Sequence, residues 1–295
     1  MQFPIVVGVD GSEGSLRALD WAAAEAARSR LPLRVVHASL WEHYEGIRPT
    51  FDTGRPAEQI LAEHLVASAQ ERVRRLHAEM KVIADVQPED PVNALVRESH
   101  EAALVILGSR GRGRIARMLL GSVSLAVAGR SHCPVVVIPT AAPDAQPRPG
   151  RVVVGIGDAA GPSAAARFAL AQAVSRHGEL TAVRAWRCPA HETTDHPLLA
   201  GSPASAHRQQ AEDHLEDVLA VLERTGAEAD VHRSVLQGSV HQVLIEEARD
   251  AELLVVGARR AGGHHAPHLG PVGHAVLHYA SCPVAVVPDT RPPNS

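Results

Sequence analysis

Four runs in the first half of the chain stay apolar without alternating: residues 3–9, 33–38, 104–109 and 134–139. A strand with one wet face alternates apolar and polar side chains. Runs like these therefore predict strands covered on both faces, as in a parallel sheet between helical layers. Helical periodicity fills the gaps. Beyond Ser12, whose hydroxyl suits an N-cap, Leu16, Leu19, Ala23 and Ala26 recur on one face. A second helix is predicted over residues 57–80 and a third from Pro91, where proline in the first turn forfeits no hydrogen bond. A fourth is predicted over residues 122–130. The order βαβαβαβαβ is that of a doubly wound α/β sheet.

The same pattern then recurs. Residues 5–15 read IVVGVDGSEGS and residues 152–162 read VVVGIGDAAGP, which superposes Gly8 on Gly155, Asp10 on Gly157 and Trp21 on Phe168 at an offset of 147. Later, SHCPVVVIP aligns with ASCPVAVVP, placing Cys133 on Cys282 at an offset of 149. So little drift over so long a stretch means that a whole domain is duplicated. The middle helices of the second copy are predicted within residues 211–226 and 239–250. Between the copies, TAAPDAQPRPG at residues 140–150 has the prolines and small side chains of a linker. The expectation is two tandem doubly wound, five-stranded parallel-sheet domains, residues 1–141 and 150–290, each large enough for its own core.

Composition narrows the partners. Lys and Arg total 29 against 33 Asp and Glu, a formal net charge of −4, and aromatic residues make up 3% of the chain. Neither a basic field nor a set of stacking rings is present, so no nucleic-acid partner is expected. No apolar stretch has the length of a membrane span, and the first residues lack the basic lead of a signal peptide; a cytoplasmic protein with no membrane partner is expected. Of the 3 cysteines, Cys133 and Cys282 are repeat equivalents ahead of a Pro-Val strand and read as small buried hydrophobes, so no structural disulfide is expected.

Candidate chemistry concentrates after the fourth strand. Residues 108–122 read GSRGRGRIARMLLGS, in which Gly108, Gly111, Gly121 and Ser122 form G-x2-G-x9-G-S. Ligands of doubly wound sheets bind at the carboxyl ends of the strands, where the strand order reverses. If strand four returns beside strand one, Asp10 and Gly108 face that crevice. Glycine at 108 and 111 would permit positive φ and bring backbone N–H groups close to a ligand, and Gly121-Ser122 opens a helix whose amino end attracts anions. Arg110, Arg112, Arg114 and Arg117 add positive charge. Such a loop suits a polyphosphate. The second copy keeps Gly257 and Gly270, but Arg260 replaces Gly111, Pro271 replaces Ser122 and Gly157 replaces Asp10, so it is expected to bind weakly or not at all.

These residues resemble the universal stress protein family, in its tandem-domain, ATP-binding branch. The family signature G-x2-G-x9-G-(S/T) is matched by Gly108, Gly111, Gly121 and Ser122, and its strand-one aspartate by Asp10. The resemblance covers nearly the whole chain. It implies a Rossmann-like, adenine nucleotide alpha hydrolase-like fold and ATP as cofactor, alone or with Mg2+ reached through Ser122 or Ser124. It also implies that Val9 and Asp10 meet the adenosine, that Ala38 lines the adenine slot, and that Leu107, Gly108 and Arg110 pack beside the ribose and phosphates. Gly111, Gly121, Ser122, Val123 and Ser124 would hold the phosphates. A homodimer through the last strand of either copy is a further implication.

Catalysis has little support. A Walker A loop needs Gly-Lys-Ser/Thr, and the only lysine is Lys81. No carboxylate lies within residues 108–122 to hold a metal or orient a water, so binding with at most slow ATP hydrolysis is expected. Histidine is abundant, 18 in all, with His264, His265, His268, His274 and His278 in one stretch, but no cysteine or carboxylate completes a metal shell there. His37 reads as a packed or hydrogen-bonded residue. The segment 40–56, with Trp41, Tyr44 and Phe51, would cover either a nucleotide or an interface. Two functions fit: an ATP-occupied stress regulator with an unknown protein partner, and an interaction or dimerisation scaffold whose glycine motif is a relic.

Overall fold

The computed structural model describes residues 2–40, 57–111, 120–139, 147–159, 161–188, 203–226, 228–258 and 269–289. Trp41, Tyr44, Phe51, Arg112, Arg114, Arg117, Arg260, His264, His265 and His268 fall outside the described residues. The chain divides into two compact units, Met1–Thr140 and Ala141–Ser295.

The first unit runs β1 (Ile5–Gly8), α1 (Glu13–Ser29), β2 (Leu33–Ala38), α2 (Ala57–Leu76), β3 (Val82–Gln87), α3 (Pro91–Glu98), β4 (Leu104–Gly108), α4 (Ser122–Arg130) and β5 (Val135–Ile138). Its strands pair in parallel in the order β3-β2-β1-β4-β5. The apolar runs form strands: Ile5–Val7, Leu104–Leu107 and Val135–Ile138 are all buried. Ser12 caps α1 by accepting from Ser15 N at 3.2 Å, and Asp90 caps α3 by accepting from Val92 N and Asn93 N. β3 is an edge strand, and of its residues only Gln87 is buried, which is why no apolar run announces it.

The second unit repeats the plan with β6 (Val152–Gly155), α5 (Ala164–Ser175), β7 (Glu179–Trp186), α6 (Pro203–Glu223), β8 (Asp230–Gln237), α7 (Val240–Glu247), β9 (Leu253–Ala258), α8 (Pro271–Tyr279) and β10 (Val284–Pro288). Its order is β10-β9-β6-β7-β8, again all parallel. Helix α6 begins at Pro203, well before the predicted 211, because its first turns are largely exposed and offer no apolar stripe to read. Both units belong to the doubly wound, Rossmann-like α/β class.

One difference between the copies matters for function. Ala18, Leu19, Ala22, Ala23 and Ala26 are buried in α1, and Ala165, Ala166, Ala169, Leu170 and Ala173 are buried in α5, at the repeat offset. Left-handed residues close the two helices at equivalent places, Arg30 (φ 55°) and His177 (φ 50°). The starts differ. Helix α1 begins after Ser12, whereas α5 begins after Ser163, a full turn later in the repeat, and Pro162 stands where Ser15 stands in the first unit.

Candidate functional site

A cavity of about 530 Å3 opens where β1 and β4 end in the first unit. Val9, Asp10 and Ala38 line it from the first two strands. Leu107, Gly108, Arg110 and Gly111 line it from the end of β4, and Gly121, Ser122, Val123 and Ser124 from the start of α4. Every residue assigned to the site from the sequence therefore meets at one crevice, beside the reversal in strand order. Gly8, Ser15, Val36, Pro91, Leu95 and Leu120 complete the lining and were not anticipated.

The glycines serve close approach. A Cβ on Gly108 would lie 2.6 Å from the carbonyl carbon and oxygen of Gly14, and one on Gly14 would lie 2.5 Å from the Arg110 carbonyl oxygen. At Gly111 it would lie 2.5 Å from Asp10 Oδ2. None of Gly108, Gly111 and Gly121 has positive φ, so the left-handed freedom that glycine would permit at 108 and 111 is not used. Gly108 is bare because the first turn of α1 presses against it and Gly111 because the Asp10 carboxylate does, while a Cβ on Gly121 would lie 3.3 Å from Ser109 O.

Hydrogen bonds join those same pieces. Asp10 Oδ1 accepts from Ser12 N at 2.9 Å, Asp10 N donates to Ser15 Oγ at 3.3 Å, and Ser15 Oγ donates to Ser12 O at 2.9 Å. Ser12 Oγ donates in turn to Arg110 O at 3.3 Å, so the cap of α1 also ties down the glycine loop. On the other side, Gly121 N donates to Ser109 O at 2.6 Å and Ser124 Oγ to Gly108 O at 2.7 Å. His37 Nδ1 lies 2.7 Å from Val9 O, which makes that nitrogen the protonated donor and His37 a fastener between the ends of β1 and β2.

The electrostatics favour an anion. Gly121 is the N-cap of α4 and provides no side-chain cap, which leaves the first-turn amides directed at the cavity with the positive end of the helix dipole. Arg110 lines the same space, and its Nε is buried without a hydrogen-bond partner among the described residues.

Among the described residues, the second unit lacks these contacts. A Cβ on Gly257 would meet only Ala165 Cβ, at an unstrained 3.8 Å, and one on Gly157 or Gly270 would meet nothing within 4 Å. Asp158, next to the position of Asp10, accepts from Arg184 Nη2 at 2.6 Å, and Arg184 Nη1 also donates to Ile156 O at 3.1 Å. His214 Nε2 lies 2.9 Å from Gly157 O. Asp158 thus pairs with a cation on β7. Pro271 opens α8 in the first turn, where it supplies neither hydroxyl nor N–H.

Gly14 and Ser15 are the site residues most open to detection in advance. The aligned dipeptides Gly14-Ser15 and Gly161-Pro162 differ at a position where proline removes both an amide donor and a hydroxyl. His274 and His278 lie on α8, and no group of three potential metal ligands occurs among the described residues. Burial pushes the thiols of Cys133 up to about 11 and of Cys282 up to about 12, which makes both poor nucleophiles. Cys133, Cys188 and Cys282 are all free thiols. No helix among the described residues is long and apolar enough to cross a membrane.

Fold and crevice together define a tandem, doubly wound α/β protein with a glycine-loop cavity at the strand ends of its first unit. The family model for the Universal stress protein family matches residues 1–139 and 149–288. Universal stress proteins of Mycobacterium bovis and Mycobacterium tuberculosis are each 35% identical over 308 residues, spanning 97% of this chain and 97% of theirs. A second one from Mycobacterium tuberculosis is 30% identical over 289 residues. A solved universal stress protein from Archaeoglobus fulgidus matches in fold, with a TM-score of 0.63 over 97% of this chain and 98% of that one at 19% identity. The chain belongs to the universal stress protein family.

Proposed function

We propose that the first unit binds ATP and that the protein is a nucleotide-dependent stress regulator whose signal is the occupancy of this cavity. The observation that carries the reading is the uncapped amino end of α4, with Ser122, Val123 and Ser124, which opens on the cavity that Arg110 also lines. Phosphates would lie against Gly111, Gly121 and the amides of Ser122, Val123 and Ser124, with Arg110 alongside. The apolar side, with Ala38, Val36, Pro91 and Leu95, would take the base, and Asp10 and Val9 stand where the nucleoside would join them.

Mg2+ would add charge neutralisation at the phosphates. Ser122 is the exposed hydroxyl available to it, since Ser124 already donates to Gly108 O. Among the described lining residues, Asp10 is the one carboxylate, and one of its oxygens is held by Ser12 N, an arrangement suited to binding more than to activating water. Protein purified without added nucleotide should release ATP or a related adenine nucleotide on denaturation, separable by ion-exchange chromatography. The emptied protein should rebind ATP in a calorimeter. Protein that is empty as isolated and silent to ATP overturns the reading.

A further inference from the structure

Directly below the cavity, on the same face of the sheet, a polar network joins β2, β3 and α3. Arg34 precedes the cavity residues Val36 and Ala38 at two-residue steps along β2, so its side chain leaves the same face. On the neighbouring strand Asp85 is in register with Val36 and Gln87 with Ala38. Arg34 Nε and Nη2 donate to the two carboxylate oxygens of Glu98 at 2.7 and 3.2 Å, and Nη2 donates to Asp85 Oδ2 at 2.8 Å. The bond to Glu98 is the largest cause of a raised Arg34 pKa, so the guanidinium is held firmly charged. Gln87, only 7% exposed, donates to Glu98 Oε1 at 2.6 Å and to Asp85 Oδ2 at 3.1 Å, while its oxygen accepts from Arg97 Nη2 at 2.8 Å. Arg97 also pairs with Glu89.

Glu98 and Arg97 are the last residues of α3, and Pro91 and Leu95 of the same short helix line the cavity. The second unit has Thr181, Ser234 and Leu236 in the places of Arg34, Asp85 and Gln87, and Glu246 in that of Arg97. It nevertheless builds the same strand order. The fold therefore does not depend on the network, and the copy that keeps it is the copy that keeps the glycine loop.

We infer that Arg34, Gln87 and Glu98 are positioning residues for the base end of the ligand, clamping α3 so that Pro91 and Leu95 form a fixed apolar wall next to Ala38. This rests on the nucleotide reading above. A wall held rigid before binding spares the ligand the entropy of ordering it, so loosening the clamp should weaken the base contacts and leave the phosphate contacts alone.

The test uses the full-length protein and the substitutions Arg34→Thr and Gln87→Leu, which reproduce residues that the second unit already accommodates at the same strand positions. ATP is titrated directly and inorganic tripolyphosphate by competition. Each variant should bind ATP about tenfold more weakly than the parent, with tripolyphosphate affinity unchanged. ATP affinity that stays at the parental value in both variants overturns the inference, as does equal weakening toward both ligands. In either case nucleotide binding stands. A parent protein that binds neither ligand overturns the inference and the nucleotide reading together.

Discussion

Gly108 and Gly111 are bare for different reasons, and the difference sets what a methyl group would do at each. At Gly108 the obstruction is the Gly14 backbone at 2.6 Å, which cannot move without shifting the first turn of α1. At Gly111 it is the Asp10 carboxylate at 2.5 Å, one short side chain that can swing aside by giving up its bond to Ser12 N. Gly108→Ala should therefore destabilise the protein by about 2–3 kcal/mol, in the upper range for overpacking. Gly111→Ala should lose only about 1 kcal/mol, the scale of the single hydrogen bond it breaks. Urea denaturation of Gly111→Ala in an Asp10→Gly background isolates the cause, because removing the carboxylate should abolish the penalty. A penalty that persists there would place the obstruction elsewhere. The second copy has lost both partners of this contact, with Gly157 and Arg260 at the two positions.

Among the secondary-structure elements, β1, β2, β4 and β5 are legible as apolar runs, and helix α1 as an Ala- and Leu-rich stripe after a serine, because burial dictates those residues directly. The exposed edge strand β3 and the exposed first turns of α6 follow from pairing and continuity, which leave little mark on residue type. The glycine loop is legible as a motif, but the reason for its glycines is not. For Gly108 that reason is a contact with α1, nearly one hundred positions away in the chain, and the turn of α1 making the contact is missing from α5. Pro162 suggests why. At the position of Ser15, proline offers no N–H for a capping hydroxyl and no hydroxyl for the Asp10 amide, both of which Ser15 supplies in the first unit. Ser15→Pro should accordingly unwind the first turn of α1, losing about 1–2 kcal/mol of stability with the cap and most of the affinity for ATP. Hydrogen exchange should show faster exchange at residues 13–16 with the rest of α1 protected, and unchanged protection there would show that the turn does not depend on Ser15.

The whole molecule pairs two copies of one fold that differ at the ends of their first and fourth strands. The first copy has a helix turn pressed against a glycine loop, and Ser122 brings its amide and hydroxyl to the start of α4. In the second, α5 starts a turn late, Asp158 is tied to Arg184, and Pro271 occupies the helix start. If the first copy holds phosphate as proposed, losing the Ser122 hydroxyl and one amide would remove two hydrogen bonds to charged phosphate at about 1.5–3 kcal/mol each. Two such losses multiply to a hundredfold or more in Kd. Sites so unequal cannot fill together at the concentrations that saturate the stronger one. Calorimetry of the full-length chain should therefore give one ATP per chain, and Arg110→Ala, which touches only the first copy, should weaken that single event without uncovering a second. A stoichiometry of two with similar affinities would mean that the crevice tolerates proline and a committed aspartate, and that the asymmetry between the copies serves something other than nucleotide binding.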